Sequence, residues 1–269
     1  MNVSQLMTSS SPTSPNDSPK EPTRRERRRQ ETIERILDAA MRLMAEQGYE
    51  AFTIARLAGD LNYAVGALYR YFKGKDAILA ALQLRVVDQI GVDFRTAAAE
   101  ADALIAREGD LGEADAVLLR VLCAIGVYES LIERQPTHFK LLGLSLGDPR
   151  ELLAHEVVDM GILPPLRKLL GHVAEQVQAA SKVGALEEGD AFRRVVVLWG
   201  SVQGVMQLDK LRRFDAELAG QAMTADVVRG LLVGWGADGS RIGELQRRAA
   251  GVLEKLSRET LLDPVAAEA

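Results

Sequence analysis

The chain has 269 residues, of which 47% are hydrophobic and 26% charged, with a formal net charge of -5 at pH 7. This length exceeds that of a usual single domain, and the composition is ordinary for a globular protein. Its one cysteine, Cys123, excludes an internal disulfide and suits a reducing cytoplasm. The sequence contains no apolar run of the length and composition found in signal peptides or membrane helices. We therefore expect a cytoplasmic protein without a membrane partner.

The charge is unevenly distributed along the chain. Residues 20–75 hold 12 Lys and Arg and 8 Asp and Glu, a surplus of four positive charges, so the remainder carries nine net negative charges. DNA phosphates interact with the local charge of a protein surface rather than with the net charge of the whole chain. A basic segment on an acidic chain is typical of a protein that touches DNA at one end only.

The first segment is predicted to be a disordered tail. Residues 1–23 are rich in Ser, Pro, Thr and Asn and lack apolar periodicity. A basic run, residues 24–29, follows directly before the first helix. By itself such a run is usually a solubilising, frayed helix start. Beside a DNA-binding unit it is also a candidate arm along phosphates or into a minor groove, with Arg27 and Arg28 as its contacts.

Residues 33–75 have the pattern of three helices. The first is amphipathic, because its apolar residues recur at steps of three and four. These residues are Ile33, Ile36, Leu37, Ala40, Leu43 and Met44. Gly48 is predicted to end this helix, since glycine accepts a left-handed C-terminal position without a steric penalty.

Two short helices follow, joined by a tight turn. Thr53 is the expected N-cap of a helix over residues 54–61. Asn62 tolerates the left-handed backbone of the turn that leads to a third helix, residues 64–71. Two short helices behind a packing helix make a helix-turn-helix, whose last helix enters the DNA major groove.

At these residues the chain resembles the tetracycline-repressor (TetR) family of bacterial regulators. The resemblance rests on the order Gly48, Phe52-Thr53, Ile54, Leu57-Ala58, Leu68-Tyr69, Tyr71-Phe72, Lys75 and Leu79. It covers residues 25–82, and the run over residues 67–75 is its most specific part. The resemblance implies a homodimeric, all-helical transcriptional regulator, usually a repressor, that a small molecule releases from its palindromic operator.

The resemblance also implies which residues meet DNA. On a helical wheel Leu68 and Phe72 point inward, opposite Gly66, Ala67 and Arg70. The matching family positions place both tyrosines of the third helix and the first lysine of the next helix on phosphates. The expected DNA contacts are Thr53, Val65, Gly66, Ala67, Tyr69, Arg70, Tyr71 and Lys75.

The third helix departs from the family pattern in two ways. Ala64 stands where a capping residue is usual and cannot cap the helix. Val65-Gly66-Ala67 offers no side-chain hydrogen bond to a base, although Val65 and Ala67 suit contact with thymine methyls. Arg70 suits either a guanine or a phosphate. Sequence preference is therefore expected to depend on apolar contacts and DNA shape.

The rest of the chain reads as helices, so the predicted fold class is all-α. The expected helices cover residues 76–95, 115–134, 137–146, 150–183 with a break at Pro164-Pro165, 190–213, 224–235 and 239–262, with Asp190 and Thr224 as N-caps. The predicted domains are a head over residues 24–82, a regulatory and dimerisation body over 83–238, and an extra C-terminal helix and tail over 239–269. That extra helix either caps a dimer bundle or packs on the body.

Two late helices carry a packing signal. Gly200 and Gly204 lie one turn apart, as do Gly230 and Gly234, and such small residues let another helix approach closely. In the family the last two body helices form a four-helix bundle across the two-fold axis, and an ordinary intrachain core is the alternative. The candidate dimerisation residues are Val195, Trp199, Gly200, Gly204, Val228, Leu231 and Trp235.

Catalysis is not expected. His155 and Asp159 share a helix face, but no third metal ligand follows at a useful spacing, so no metal site is predicted. Cys123 lies on an apolar helix and suits a core position better than a nucleophile. The chain lacks the common phosphate-binding glycine loops, and no cofactor is implied.

A ligand pocket between body helices is the expected regulatory input. Its candidates combine apolar surface with polar tips, and each is alternatively a core residue. They are Tyr128, His138, Phe139, Met160, Gln203 and Met206. A tilt of residues 76–95 would couple ligand to DNA. The alternative function is a helical ligand-binding or interaction module with weakened DNA readout.

Overall fold

The computed structural model describes residues 23–146 and 161–259, and this part of the chain is helical without a strand, which confirms the all-α prediction. The helices are α1 (Arg24–Gln47), α2 (Ile54–Asp60), α3 (Val65–Leu68), α4 (Lys75–Glu108), α5 (Glu113–Arg134), α6 (Pro136–Leu146), α7 (Leu163–Lys182), α8 (Ala191–Gln207), α9 (Gly220–Gly234) and α10 (Gly239–Glu259). Short 3-10 segments cover Tyr49–Ala51, Asp209–Arg213 and Ala216–Leu218. Within the described ranges no helix has the length and apolar character needed to cross a membrane.

The chain divides into two compact units. One contains residues 1–87 and 136–165, and the other contains residues 88–135 and 166–269. The boundary expected after residue 82 therefore falls inside α4, which continues without a break. Helix α6, expected in the body, groups with the head helices.

Helix α1 begins at a capping box. The Thr23 hydroxyl accepts from the Glu26 N–H at 3.3 Å, and the Glu26 carboxylate accepts from the Thr23 N–H at 2.7 Å. The basic run of residues 24–29 is therefore the start of α1 and not an extended arm. The spacing Thr-x-x-Glu over residues 23–26 is the sequence signal for this start.

The head has one apolar core. The predicted stripe of α1 is buried, and the other elements contribute Phe52, Leu57, Leu68 and Phe72, each at most 2% exposed. Gly48 ends α1 with φ of 80°, a conformation in which a side chain is strained, as predicted. Helix α6 joins this unit through a buried hydrogen bond of 2.7 Å, donated by the Gln83 amide to the Leu141 carbonyl.

Helix α5 is the central element of the other unit. Most of its residues are buried, including Cys123, and α10 packs along it. Gly126 permits this close approach, because a Cβ there would collide with Leu253 of α10. The apolar face of α10 consists of Ile242, Leu245, Ala249, Val252 and Leu256. The extra helix was expected either to cap a dimer bundle or to pack on the body, and the structure shows that it packs on α5 of its own chain.

Ion pairs hold the start of α10 against the α4–α5 connection. Arg241 binds Asp115 at 2.5 Å, and Arg248 binds Glu108 at 2.6 Å and Asp110 at 3.0 Å. Hydrogen bonds to the carboxylates of Asp110 and Glu244 raise the pKa of Arg248 above its usual value. They fix the register of α10, whereas the apolar face provides most of the stability.

Two element boundaries differ from the predictions. Helix α7 begins at Leu163, directly after π-helical residues 161–162, so that Pro164 and Pro165 are its second and third residues and the helix type changes beside them. The part of the expected helix over residues 150–160 lies outside the described residues. Helix α4 continues past residue 95 to Glu108, because alanine-rich turns favour the helix until Gly109 at φ of 65°.

The N-cap predictions gave mixed results. Asp190 caps α8, since its carboxylate accepts from the Arg193 N–H at 2.9 Å. Thr224 was expected to cap the next helix, and this is wrong. Helix α9 begins one turn earlier, after Ala219, so that Thr224 lies inside the helix and is 1% exposed.

Truncation of Leu245 tests the packing of α10. We expect Leu245→Ala to lower the free energy of unfolding by about 2–5 kcal/mol, because it removes a fully buried side chain. Arg247→Ala, on the exposed side of the same helix, should change it by less than about 0.5 kcal/mol. Urea denaturation of both variants measures the difference, and equal values would contradict this packing.

The reactivity of Cys123 tests the burial of α5. Burial raises the pKa of this thiol to about 12, so at pH 8 roughly one thiol in ten thousand is ionised. We expect the folded protein to react with an aromatic disulfide reagent orders of magnitude more slowly than the protein unfolded in guanidinium. Comparable rates in the two states would show that α5 is accessible.

Candidate nucleic-acid interface

The turn between α2 and α3 has the geometry that the sequence predicts. Asn62 has φ of 54°, and the Tyr63 N–H donates to the Ala58 carbonyl at 2.8 Å. The Arg35 guanidinium of α1 donates to the Tyr63 hydroxyl at 2.8 Å. These bonds hold the turn to both preceding helices and so determine the direction of α3.

Helix α3 is shorter than predicted. Only Val65–Leu68 is α-helical, Ala64 gives no side-chain cap, and the chain continues as a turn. In that turn the Arg70 N–H donates to the Ala67 carbonyl at 3.3 Å and the Tyr71 N–H to the Leu68 carbonyl at 2.9 Å. Bonds from residue i to i−3 are the tighter form in which helices often end.

The side chains of this segment point as the helical wheel predicts. Leu68 is 1% exposed and Phe72 is 2% exposed, so both anchor the segment in the head core. The opposite side presents Val65, which is 43% exposed, and Tyr69, which is 54% exposed. Gly66 and Arg70 are also exposed, while Ala67 is partly exposed. Large exposed apolar side chains together with a cation suit contact with a nucleic-acid groove.

Thr53 and Lys75 flank this surface at two helix starts. The exposed Thr53 hydroxyl accepts from the Arg56 N–H at 3.2 Å, as predicted for an N-cap, and its O–H can still donate to a phosphate. Lys75 is the first residue of α4, a helix of 34 residues whose N-terminus favours an anion. Its ammonium lies 4.3 Å from the centre of the Tyr49 ring, which holds it near the surface.

The structure adds one cation to the predicted set. The Arg29 guanidinium lies 6.0 Å from the centre of the Tyr71 ring, which joins the basic start of α1 to the end of the α3 segment. The sequence signal for Arg29 was the basic run itself, of which only Arg27 and Arg28 were chosen. Both of those side chains are exposed on α1.

Two of the candidate dimerisation residues lie in the core of their own chain. Val195 and Val228 are each 2% exposed, because α8 and α9 pack against one another through them. Trp199, Leu231 and Trp235 are partly buried, and the Trp235 ring lies 5.3 Å from the Arg194 guanidinium. The expectation that Val195 and Val228 face a partner is therefore wrong.

The exposed face of the same two helices is apolar and shallow. Gly200, Gly204 and Gly230 are exposed along an open groove of about 630 Å³. Bare apolar side chains beside it are Val196, Val197, Leu208 and Val233, each 40–44% exposed. Exposed apolar side chains near one another are typical of interaction surfaces.

The candidate ligand residues do not form one described cluster. Tyr128 donates a hydrogen bond to the Gln203 amide oxygen within the body unit, and both side chains are buried together with Met206. Burial raises the pKa of Tyr128 far above its usual value, so it acts as a hydrogen-bond donor and not as an anion. His138 and Phe139 belong to the head unit, and Met160 lies outside the described residues.

His138 is a neutral imidazole. Burial lowers the pKa of His138 to about 4, and the nearby Arg85 guanidinium lowers it further. Its Nδ1 has no hydrogen-bond partner among the described residues. In the same part of the chain no group of three His, Cys, Asp or Glu residues has the geometry of a metal site. His155 and Asp159 lie outside the described residues.

Comparison with known proteins agrees with the head geometry. Residues 36–82 match the family model of bacterial regulatory proteins, tetR family. The chain is 40% identical over 60 residues to the HTH-type transcriptional repressor KstR of Rhodococcus jostii (strain RHA1). This match covers 22% of the chain and 28% of KstR. The matches to curated relatives span less than a third of those relatives' own length.

Solved structures share the fold over most of the chain. SmeT, the repressor of the Stenotrophomonas maltophilia multidrug efflux pump SmeDEF, has a TM-score of 0.54 at 21% identity, over 78% of this chain and 93% of SmeT. RolR, solved in complex with resorcinol, has a TM-score of 0.51 at 18% identity, over 82% of this chain and 96% of RolR. The head therefore matches the tetR family of bacterial regulatory proteins over residues 36–82, and the chain shares the fold of these two solved proteins.

Proposed function

We propose that the protein is a homodimeric transcriptional repressor that binds a palindromic DNA operator in the cytoplasm and leaves it when a small molecule binds. One observation carries the DNA-binding part. Leu68 and Phe72 are buried on one side of the α3 segment, which presents Val65, Tyr69 and Arg70 on the other side, between two helix starts. An interior anchor with an exposed, partly cationic face is the arrangement that enters a major groove.

The contacts divide into two kinds. Thr53, Tyr71 and Lys75 lie at the edges of the surface and suit phosphates, which orient the protein without reading sequence. Val65, Gly66 and Ala67 lie in its middle, where Val65 and Ala67 can contact thymine methyls and Gly66 lets the backbone approach the DNA. Arg70 is the one side chain of this exposed face that can bind a guanine through two hydrogen bonds.

The exposed groove of α8 and α9 supports a two-fold dimer. A single segment of four helical residues reads too few base pairs for a specific site, whereas two copies read a palindrome. Glycines along the groove would let the same helices of a second copy approach closely, and the bare valines would be buried between them.

The proposal of a small-molecule effector rests on the helical body and on its likeness to RolR, which was solved with resorcinol. Tyr128 and Gln203 would present a polar tip inside an apolar body. Such a combination of apolar lining with a few placed polar groups is typical of ligand sites.

Selection of genomic fragments by the purified protein tests DNA binding. We expect enrichment of a short palindrome. Lys75→Ala should weaken binding to all sequences and lower the salt slope of the affinity by about 1, because one phosphate contact is lost. Lys210→Ala, an exposed lysine of the body, is the matched control and should bind like the wild type.

Tyr69→Ala should reduce operator affinity at least about tenfold, since the most exposed ring of the surface is removed. If the wild type enriches no common sequence at low or at moderate salt, the chain is instead a helical sensor or interaction module. If only the lysine variant changes, Tyr69 lies outside the interface.

Gly204→Leu tests the dimer surface. A Cβ at Gly204 has open space around it, with no described atom beyond its own helix backbone and chain neighbours within 4 Å, so we expect the protomer to remain folded. We expect it to convert the dimer to a monomer at micromolar concentration in sedimentation experiments, because the added side chain separates the two copies. The control is Gly171→Leu on α7, which is equally unobstructed in its own chain. A dimer in both variants would place the interface elsewhere.

A further inference from the structure

A cavity that opens to solvent lies in the body unit, under the extra C-terminal helix. Its volume is about 480 Å³, within the usual range of small-molecule sites, and α5, α9 and α10 form its walls. The floor is apolar and buried, and it consists of Leu122, Ile125, Val228 and Ala249. The mouth is formed by exposed residues such as Gln221 and Ala250, so a ligand can enter from solvent.

One polar group inside this cavity lacks a partner. The Thr224 side chain of α9 is 1% exposed and lines the cavity, and its hydroxyl oxygen has no hydrogen bond to any described residue. A buried hydroxyl without a partner is unfavourable, and native proteins normally satisfy it. The cavity is the direction from which a partner can reach it.

Glu129 of α5 lines the same cavity near Thr224. Burial raises the pKa of Glu129 to about 7, and the Glu133 carboxylate one turn away raises it further. The Thr224 hydroxyl lies close enough to the Glu129 carboxylate to oppose this shift, although the two groups do not have the geometry of a hydrogen bond. Glu133 itself accepts a hydrogen bond of 2.6 Å from the Gln221 amide. Among the described residues, no cation contributes to the shift in the pKa of Glu129.

The charges around the cavity are mainly negative. Helix α5 contributes Glu129, Glu133 and Arg134, α10 contributes Glu254, and the lining residues of α9 are uncharged. Three carboxylates and one guanidinium leave a net charge of two negative charges when all are ionised. An anionic ligand would be repelled, and a neutral ligand would leave the Glu129 carboxylate uncompensated.

We propose that this cavity binds a small organic cation, an amine with an apolar body, which places its ammonium between Glu129 and Thr224 and its apolar part on the floor. An ammonium group donates up to three hydrogen bonds, so it satisfies both the carboxylate and the unpartnered hydroxyl. The apolar remainder replaces water over the buried leucine, isoleucine and valine side chains. The site is independent of the DNA-binding surface, and its occupation can be measured without DNA.

Three probes of one shape test the charge preference. They are phenylbutylamine, phenylbutanol and phenylbutyrate, titrated into the full-length protein at about pH 8 in a calorimeter. We expect the cationic amine to bind at least about tenfold more tightly than the neutral alcohol, and the anion to bind least. Equal affinities for the three probes, or no measurable binding of the amine, would overturn the proposal.

Two conservative variants locate the binding site. Glu129→Gln keeps the shape of the side chain and removes its charge, so the amine should lose about tenfold in affinity while the alcohol changes little. Thr224→Val removes the hydroxyl and should weaken the amine several-fold without loss of folding. The matched control is Glu175→Gln, which alters an exposed carboxylate on α7 and should leave the amine affinity unchanged. Circular dichroism shows that each variant is folded.

The dependence on pH gives a further test of the same site. Because the carboxylate of Glu129 must be ionised to bind an ammonium, amine affinity should rise several-fold from about pH 6 to about pH 8. In Glu129→Gln this rise should disappear, although Glu133 and Glu254 remain. A rise that persists in the variant would assign the cation to another group. Failure of the DNA selection would leave these titrations unaffected.

Discussion

Burial of Leu68 and Phe72 is the interaction on which the recognition surface depends. A helix of four residues has almost no stability of its own, because nucleation costs more than its few hydrogen bonds return. The segment holds its shape since two side chains, each at most 2% exposed, anchor it in the head core. The left-handed turn at Asn62 sets the direction in which it leaves α2. The exposed side chains thus gain a defined position from residues that never meet DNA.

The body unit likewise depends on the burial of apolar side chains. Helix α5 is apolar on nearly all sides, so its surface must be shielded from water. Helix α10 shields one face of α5 through buried leucine and isoleucine side chains of α10. Gly126 makes the contact close, and the ion pairs of Arg241 and Arg248 fix its register. The cover is incomplete, and the remaining space is the cavity that holds Glu129 and Thr224.

Glycines on α8 and α9 have a different effect. Inside one chain they leave a shallow strip beside exposed valines, and this strip is on the opposite side from the buried Val195 and Val228. Both faces of α8 and α9 carry apolar side chains, so the helical periodicity of the sequence does not say which face meets the rest of the chain. Two of the predicted dimer contacts were wrong for this reason.

The sequence by itself determined the head and the all-helical class. Local signals such as Gly48, Thr53 and Asn62 act over a few residues, so the tight turn and the inward positions of Leu68 and Phe72 follow from them directly. Only the tertiary structure decided the packing of α10 on α5, the position of Thr224 inside α9 and its meeting with Glu129. Those contacts join residues about a hundred positions apart, and which helix faces pack together depends on the shapes of all the surfaces that compete for burial.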